Sequence, residues 1–183
     1  MSIRPFQSQA PRLGQRVYVD STALVIGRVA LGDDVSLWPY AVVRGDVNSI
    51  QVGARSNIQD LCVLHVTHDG PYSSGGYALA VGEDVTVGHR CILHACAIGN
   101  RCLIGMGSIV MDGAVLEEDV LLAAGSLVSP GKRLESGHLY RGSPAEKIRP
   151  LTEREREMLR YSAAHYLSLK DRHLSAGDTS IAR

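Results

Sequence analysis

Three histidines stand at a spacing that suits a metal site. His89 and His94 lie within the segment VGHRCILH, and His65 ends the segment NIQDLCVLH. Neutral imidazoles are common ligands of Zn²⁺, at Zn–N distances of about 2.0–2.1 Å. Whether the three rings can meet depends on the elements that carry them, and all three lie in a stretch with a repeated pattern.

An aliphatic residue recurs about every six positions along most of the chain, at what we term leading positions. These are Val25, Leu31, Leu37, Val43, Val52, Ile58, Leu64, Val81, Val87, Leu93, Ile98, Ile104, Val110, Leu116, Leu122 and Val128. A period near six matches neither an α-helix nor an alternating strand. It is typical of a parallel β-helix, in which three hexads close one triangular turn and stacked turns bury a common core.

Small residues four positions after a leading residue are expected to point into the same core. They are Cys62, Cys91, Cys102, Ser108, Ala114 and Ser126. We therefore interpret three of the four cysteines as core residues, not as disulfide partners or thiolate ligands. No CxxC pair occurs. We expect a reducing compartment and a cytoplasmic location.

The composition argues against two classes of partner. The 183 residues carry 19 Lys and Arg and 19 Asp and Glu, so the net charge predicts binding neither to nucleic acid nor to an anionic membrane. No segment approaches the roughly 18 apolar residues of a membrane-spanning helix. The opening MSIRPFQSQAPRLG lacks the apolar stretch of a secretory signal.

The pattern divides the chain into three parts. Residues 1–149 are predicted to form the β-helix domain with its N-terminal lead-in, 150–175 a helix packed on it, and 176–183 a flexible tail. Thr152 and Glu155 form the sequence pattern of a capping box at the start of the helix. One side of this helix is expected to carry Met158, Leu159, Ala163, Tyr166 and Leu167.

Counting hexads assigns the histidines to faces of the triangular solenoid. Leu64 and Leu93 fall on what we term the first face, so His65 and His94 take the same place in successive turns, about 4.7–4.9 Å apart. Val87 falls on the third face, and His89 follows it. His89 therefore cannot readily reach the other two rings within one chain. It could do so from a second copy, and three copies around a threefold axis would form three equivalent sites, which predicts a homotrimer.

Further polar residues lie near the histidines. Arg44 and Asp46 stand on the first face, one turn before His65. The third face carries Asn57, Gln59 and Asp60 around a leading residue. Asp60 and His89 hold the same hexad place in successive turns, so we expect them to be neighbours.

Four segments carry a resemblance to a known family: RGD (44–46), NIQD (57–60), LHVTH (64–68) and VGHRCILH (87–94). Together with LRYSAAHY near the C-terminus, they resemble the γ-class carbonic anhydrases, and among these the short bacterial YrdA-like branch. The resemblance implies a single-stranded left-handed parallel β-helix, a homotrimer, and Zn²⁺ (in some members Fe²⁺ or Co²⁺) at sites between subunits. It also implies reversible hydration of CO2 to bicarbonate.

The same resemblance implies roles for individual residues. His65, His89 and His94 would bind the metal ion. Arg44 and Asp46 would form an ion pair between subunits. Gln59 and Asn57 would orient metal-bound water or substrate, with Asp60 lining the same site.

The chain departs from the most active members of that family at the step in which a proton leaves. His68 stands where those members carry a glutamate, and Val47 stands where they carry an acid. Histidine can carry protons near neutral pH, so we interpret His68 as a candidate proton shuttle. The departures predict weak hydration activity.

Two other functions stay open. One is that of a hexapeptide acyltransferase or acyl-CoA thioesterase, which shares the repeat. The other is that of a non-catalytic metal-binding trimer. Tyr161 and Tyr166 could approach the site from the helix, although ordinary packing also explains them.

Overall fold

The computed structural model describes residues 2–176, which form a solenoid of short strands and one C-terminal helix. The elements are β1 (Ile3–Arg4), β2 (Arg12–Leu13), β3 (Tyr18–Val19), β4 (Leu24–Leu31), β5 (Ser36–Leu37), β6 (Val42–Val52), β7 (Asn57–Ile58), β8 (Val63–His65), β9 (Leu79–Val81), β10 (Thr86–Val87), β11 (Ile92–His94), β12 (Ala97–Ile98), β13 (Leu103–Ile104), β14 (Ile109–Val110), β15 (Val115–Leu116), β16 (Leu121–Leu122), β17 (Leu127–Val128), β18 (Arg133–Leu134), β19 (His138–Gly142), β20 (Ala145–Pro150) and α1 (Glu153–Ser175).

Apart from β20, which pairs antiparallel with β19, the strands stack in parallel into three columns, one for each face. The first face aligns Val25, Val43, Leu64, Leu93, Val110 and Val128. The second face aligns Leu31, Val52, Val81, Ile98, Leu116 and Leu134. The third face aligns Leu37, Ile58, Val87, Ile104, Leu122 and Tyr140. This confirms the predicted mainly β fold, a parallel β-helix with a C-terminal helix, and the hexad register.

The leading residues and the small residues between them fill the core. Leading residues such as Leu64 and Leu93 are fully buried. The small residues Cys62, Cys91, Cys102, Ser108, Ala114 and Ser126 are buried as well, as predicted. Cys96, in the one hexad that is a residue short, is also buried, so all four free cysteines belong to the core.

Glycines that follow leading residues are needed where successive turns approach. A Cβ atom on Gly105 would lie 2.3 Å from the backbone nitrogen of Ala124, and one on Gly53 would lie 2.5 Å from the carbonyl carbon of Gly82. No side chain fits at such distances. The glycine pattern therefore reflects the close stacking of the turns.

Helix α1 packs on the third face, against β5, β7 and β10. It begins with the predicted capping box, in which the backbone nitrogens of Thr152 and Glu155 each donate to the other residue's side chain. Leu159 and Ala163 are buried beneath it, and the Tyr166 ring meets Trp38 edge-on with centroids 5.4 Å apart. Met158, expected on the same side, is exposed on the protomer.

Lys170 fixes the C-terminal part of α1 to the solenoid. Its side chain is fully buried, and Nζ lies 2.8 Å from Asp34 and 2.7 Å from Asp171. The ammonium also donates to the backbone oxygen of Arg16 at 3.2 Å. The predicted tail, 176–183, lies outside the described residues from 177 onward. Within residues 2–176, no helix has the length and apolarity needed to cross a membrane.

Candidate metal centre

His65 and His94 lie side by side on the first face. Strands β8 and β11 pair in parallel with His94 opposite His65, which confirms that they hold the same place in successive turns. His65 Nδ1 lies 3.2 Å from His94 Nε2. Two nitrogens that bind one tetrahedral ion at about 2.0–2.1 Å stand roughly 3.3 Å apart, so the pair has the separation of two ligands.

The outer nitrogen of each ring faces a carboxylate. His65 Nε2 lies 3.1 Å from Asp46 Oδ1, and His94 Nδ1 lies 2.6 Å from Asp112 Oδ1. Each carboxylate accepts the N–H of its imidazole, so the two facing nitrogens keep their lone pairs. Lone pairs that stand 3.2 Å apart repel each other unless a proton or a metal ion lies between them.

The protonation states of His65 and Asp46 suit metal binding. Burial lowers the pKa of His65, against the hydrogen bond to Asp46, so the neutral imidazole is favoured. Burial opposes ionisation of Asp46, but hydrogen bonds from Arg44 and His65 outweigh it and hold the pKa of that carboxyl below its usual value. A neutral imidazole oriented by an ionised carboxylate is the form that binds metal ions.

Sequence reasoning missed Asp112. It follows its leading residue Val110 by two positions, whereas His94 follows its own by one, so matching hexad places does not align them. The Asp112 side chain also accepts a hydrogen bond from the Thr67 hydroxyl. Burial opposes ionisation of Asp112, but the hydrogen bonds from Thr67 and His94 outweigh it. The pKa of the Asp112 carboxyl is therefore below its usual value. An acidic residue one turn beyond His94 on the first face was the signal that could have found it.

Arg44 and Asp46 pair within the protomer. Arg44 Nη1 contacts Asp46 Oδ2, while the other oxygen of this carboxylate holds His65. Extending the register of β6 and β8 by one residue places Arg44 beside His65. An Arg44–Asp46 pair between subunits, as the resemblance implies, stays a prediction.

His89 lies on the third face, just beyond β10. Its Nδ1 is 2.8 Å from Asp60 Oδ2, which confirms that these two residues are neighbours. Within residues 2–176, no three His, Cys, Asp or Glu side chains are placed to hold one metal ion. One protomer therefore brings together two of the three predicted ligands and leaves the third on another face.

Gln59 and Asn57 lie on the third face with His89. Gln59 Nε2 donates to Asn57 Oδ1 at 3.2 Å, and Asn57 Nδ2 donates to Thr86 Oγ1 at 3.0 Å. Both amides are buried, so these hydrogen bonds fix their orientation. The structure thus groups Gln59 and Asn57 with His89 rather than with the histidine pair.

Helix α1 forms one wall of a cleft beside His89. The cleft has a volume of ≈ 250 Å³, and its lining includes Gln59, His89, Met106, Tyr161 and Tyr166. Burial and the charge of Asp60 raise the pKa of the Tyr166 hydroxyl, so it stays protonated at neutral pH. Tyr161 and Tyr166, for which the sequence left two interpretations open, therefore both border the cleft that His89 lines.

Comparison with known proteins decides the family. No protein-family profile matches the chain. It is 55% identical over 176 residues to Protein YrdA of Escherichia coli, with 96% of each chain covered. It is 38% identical over 173 residues to mitochondrial gamma carbonic anhydrase 2 of Arabidopsis thaliana, covering 94% of this chain and 62% of that protein. The chain belongs to the γ-class carbonic anhydrase family of hexapeptide-repeat proteins.

The fold is also found in a solved structure. A hexapeptide transferase family protein from Anaplasma phagocytophilum is 43% identical to this chain, with a TM-score of 0.84 over 91% of this chain and 95% of that one. Membership in the γ-class family implies a metal cofactor in general. The donor set fits one, because His65 and His94 offer two converging nitrogens whose outer sides are held by carboxylates.

His68, the candidate proton shuttle, lies outside the histidine pair. It is exposed in the loop between β8 and β9 and lines a groove with Tyr72 and Ser73. The same groove reaches Asp112, whose Oδ1 contacts His94. The role of His68 in proton transfer stays a prediction.

Proposed function

We propose that this chain is a metal-dependent γ-class carbonic anhydrase that hydrates CO2 reversibly at sites shared between the subunits of a homotrimer. The observation that carries the proposal is the pair of facing nitrogens on His65 and His94, 3.2 Å apart with an ionised carboxylate behind each. This arrangement favours a cation between the rings. Zn²⁺, Fe²⁺ or Co²⁺ would suit the imidazole ligands.

The third ligand is His89 of a neighbouring copy. An exposed or half-buried apolar column runs along the first face beside the histidine pair, and it consists of Val42, Val63, Ile92, Ile109 and Leu127. Successive members of this column pair in register. Such a column supports contact with another copy, and a heterologous contact that closes after three copies would place one His89 at each pair.

The residues would divide the work as follows. A bound ion would supply a Lewis acid that lowers the pKa of a water molecule into the neutral range. His65, His94 and the neighbour's His89 would hold it, and Asp46 and Asp60 would orient two of these rings. Arg44 would keep Asp46 ionised.

The amide residues and His68 would act on substrate and proton. Gln59, fixed by Asn57, would orient water or CO2 from the third-face side. His68 would pass the released proton to buffer. We also propose a cytoplasmic location. The four cysteines support it, because all of them are free and buried.

A second candidate function is acyl transfer or acyl-CoA hydrolysis. The match to a hexapeptide transferase family protein and the ≈ 250 Å³ cleft beside His89 favour it. A non-catalytic metal-binding trimer is the third. Acyl-CoA hydrolysis and CO2 hydration, measured on one anaerobically purified sample of known metal content, separate the three.

Subunit complementation tests the shared site. Trimers of His89→Ala chains and trimers of His65→Ala/His94→Ala chains should each lack CO2 hydration in stopped-flow assays. If the two kinds of chain are mixed and reassembled at random, about a quarter of the interfaces regain all three ligands, so about a quarter of the activity should return.

The matched control mixes His65→Ala chains with His94→Ala chains. Both defects lie on the first face, so every site stays incomplete and no activity should return. Recovery in this control, or its absence in the first mixture despite mixed trimers, would refute a site shared between subunits.

A further inference from the structure

Asp112 connects His94 to the loop between β8 and β9. One carboxylate oxygen lies 2.6 Å from His94 Nδ1, and the other accepts from the Thr67 hydroxyl. Thr67 is the second residue of this loop and lies two positions after His65. The carboxylate therefore touches a predicted ligand on one side and a loop residue on the other.

Thr67 itself is held by three contacts to its backbone. The Thr67 nitrogen donates to the Tyr77 backbone oxygen at 3.0 Å, and the Tyr77 nitrogen donates to the Thr67 backbone oxygen at 3.0 Å. Asn48 Nδ2 donates to the same Thr67 oxygen at 3.2 Å. These hydrogen bonds fix the backbone of Thr67, and so they fix the position from which its hydroxyl reaches Asp112.

Because Thr67 and His94 take different oxygens, they set the rotation of the Asp112 carboxylate. In this orientation the carboxylate accepts His94 Nδ1–H and leaves Nε2 without a proton. Asp46 shares its charge between Arg44 and His65, whereas Asp112 has a neutral hydroxyl as its second partner. Its negative charge is thus directed chiefly to His94.

We propose that Asp112 is the positioning residue for His94, that Thr67 orients Asp112, and that the loop at 66–78 thereby sets how tightly the centre holds its metal ion. This rests on the proposed function, because it takes His94 as a ligand. Residues that orient a metal-binding histidine typically change metal affinity by about 10–100-fold when they are replaced.

The test measures Zn²⁺ affinity of the metal-free full-length chain by competition with a chromogenic chelator. Asp112→Asn should bind Zn²⁺ about 10–100-fold more weakly than the wild type. Thr67→Val should weaken binding by a smaller factor, and Thr67→Ser, which keeps the hydroxyl, should restore wild-type affinity. The ¹⁵N spectrum of His94 in the metal-free protein should show a loss of the Nδ1–H tautomer in Asp112→Asn.

Two matched controls should leave affinity unchanged. Glu117→Gln neutralises a carboxylate whose side chain is 32% exposed, close to the 29% of Asp112. Glu117 pairs with Arg133 and not with a histidine of the site. Thr22→Val removes a hydroxyl that donates to an aspartate, Asp20, outside the site. Thermal unfolding and oligomeric state of each metal-free variant show whether it folds and assembles.

The outcomes separate the two proposals. If His94→Ala loses Zn²⁺ but Asp112→Asn and Thr67→Val bind it as the wild type does, the positioning role is refuted and the proposed function stands. If His94→Ala itself binds Zn²⁺ normally, the proposed function fails. Should Asp112→Asn not fold, the Thr67→Val and Thr67→Ser pair decides, because equal affinities in both would contradict the inference.

Discussion

The first and third faces of the solenoid both carry histidines, but they are built differently. On the first face, His65 and His94 contact each other, each has its own carboxylate, and the apolar column beside them is exposed or half-buried within residues 2–176. On the third face, His89 Nδ1 pairs with Asp60 in a cleft bordered by helix α1. The first face thus carries a pair of the predicted ligands, and the third face carries the remaining one. The proposed shared site requires this difference, because each face would supply what the other lacks.

Charging the apolar column should have the largest effect. Ile92 is 38% exposed at the centre of this column, next to the histidine pair. We expect Ile92→Glu to give monomers without CO2 hydration and without tightly bound metal, because the first face could no longer meet another copy. Size-exclusion chromatography with light scattering and metal analysis measure both.

Ile148→Glu is the matched control. Ile148 is 42% exposed on β20, away from the column, and the same substitution there should leave oligomeric state and metal content unchanged. A trimeric Ile92→Glu variant would argue that the first face is not an interface. A monomeric variant that keeps its metal would argue that the metal site is not shared between subunits.

Removing the carboxylates that hold α1 should destabilise the third face. In Asp34→Ala/Asp171→Ala, the fully buried Lys170 keeps only the Arg16 carbonyl among its partners in the structure. An unpaired buried charge costs about 3–5 kcal/mol, so the free energy of unfolding should fall by that order. Adding Lys170→Met should recover most of the loss, and urea unfolding checks both. If the triple variant is no more stable than the double one, the charge of Lys170 is not what the two carboxylates stabilise.

Replacing Gln59 tests whether the third face supplies more than a ligand. Gln59→Ala removes a buried amide that is hydrogen-bonded to Asn57. We expect kcat for CO2 hydration to fall by up to about 100–1,000-fold with metal content unchanged, as for other oriented donors at reaction centres. A parallel loss of metal would instead mean that Gln59 supports the ligands.

Acid should weaken the attachment of the helix. Although burial opposes ionisation, hydrogen bonds from Lys170 and Arg16 lower the pKa of Asp34, and those from Lys170 lower that of Asp171. Stability from these groups is therefore complete above the ordinary carboxyl pKa of 3.8 and is lost as pH falls through their lower folded values. Lys170→Met should show a shallower loss of stability below that pH in urea titrations. An unchanged slope would contradict this assignment.

The two faces also show what sequence alone could predict. Hexad counting placed His65 beside His94 and Asp60 beside His89, because stacked parallel strands align equal places. It missed Asp112, whose side chain reaches diagonally across a turn to His94. It also missed the burial of Lys170, which depends on how α1 is rotated against the corner at Asp34 and not on the apolar pattern of the helix.

His68 should give the smallest effect, and it tests whether the first face also handles the proton. It stands exposed in a groove that reaches Asp112, so His68→Ala should leave metal affinity unchanged. Turnover should fall only when proton removal limits the rate, so a several-fold loss is expected in dilute buffer. Added imidazole should restore it, since a small base can enter an open groove. Equal turnover of variant and wild type in dilute buffer would exclude His68 as the shuttle.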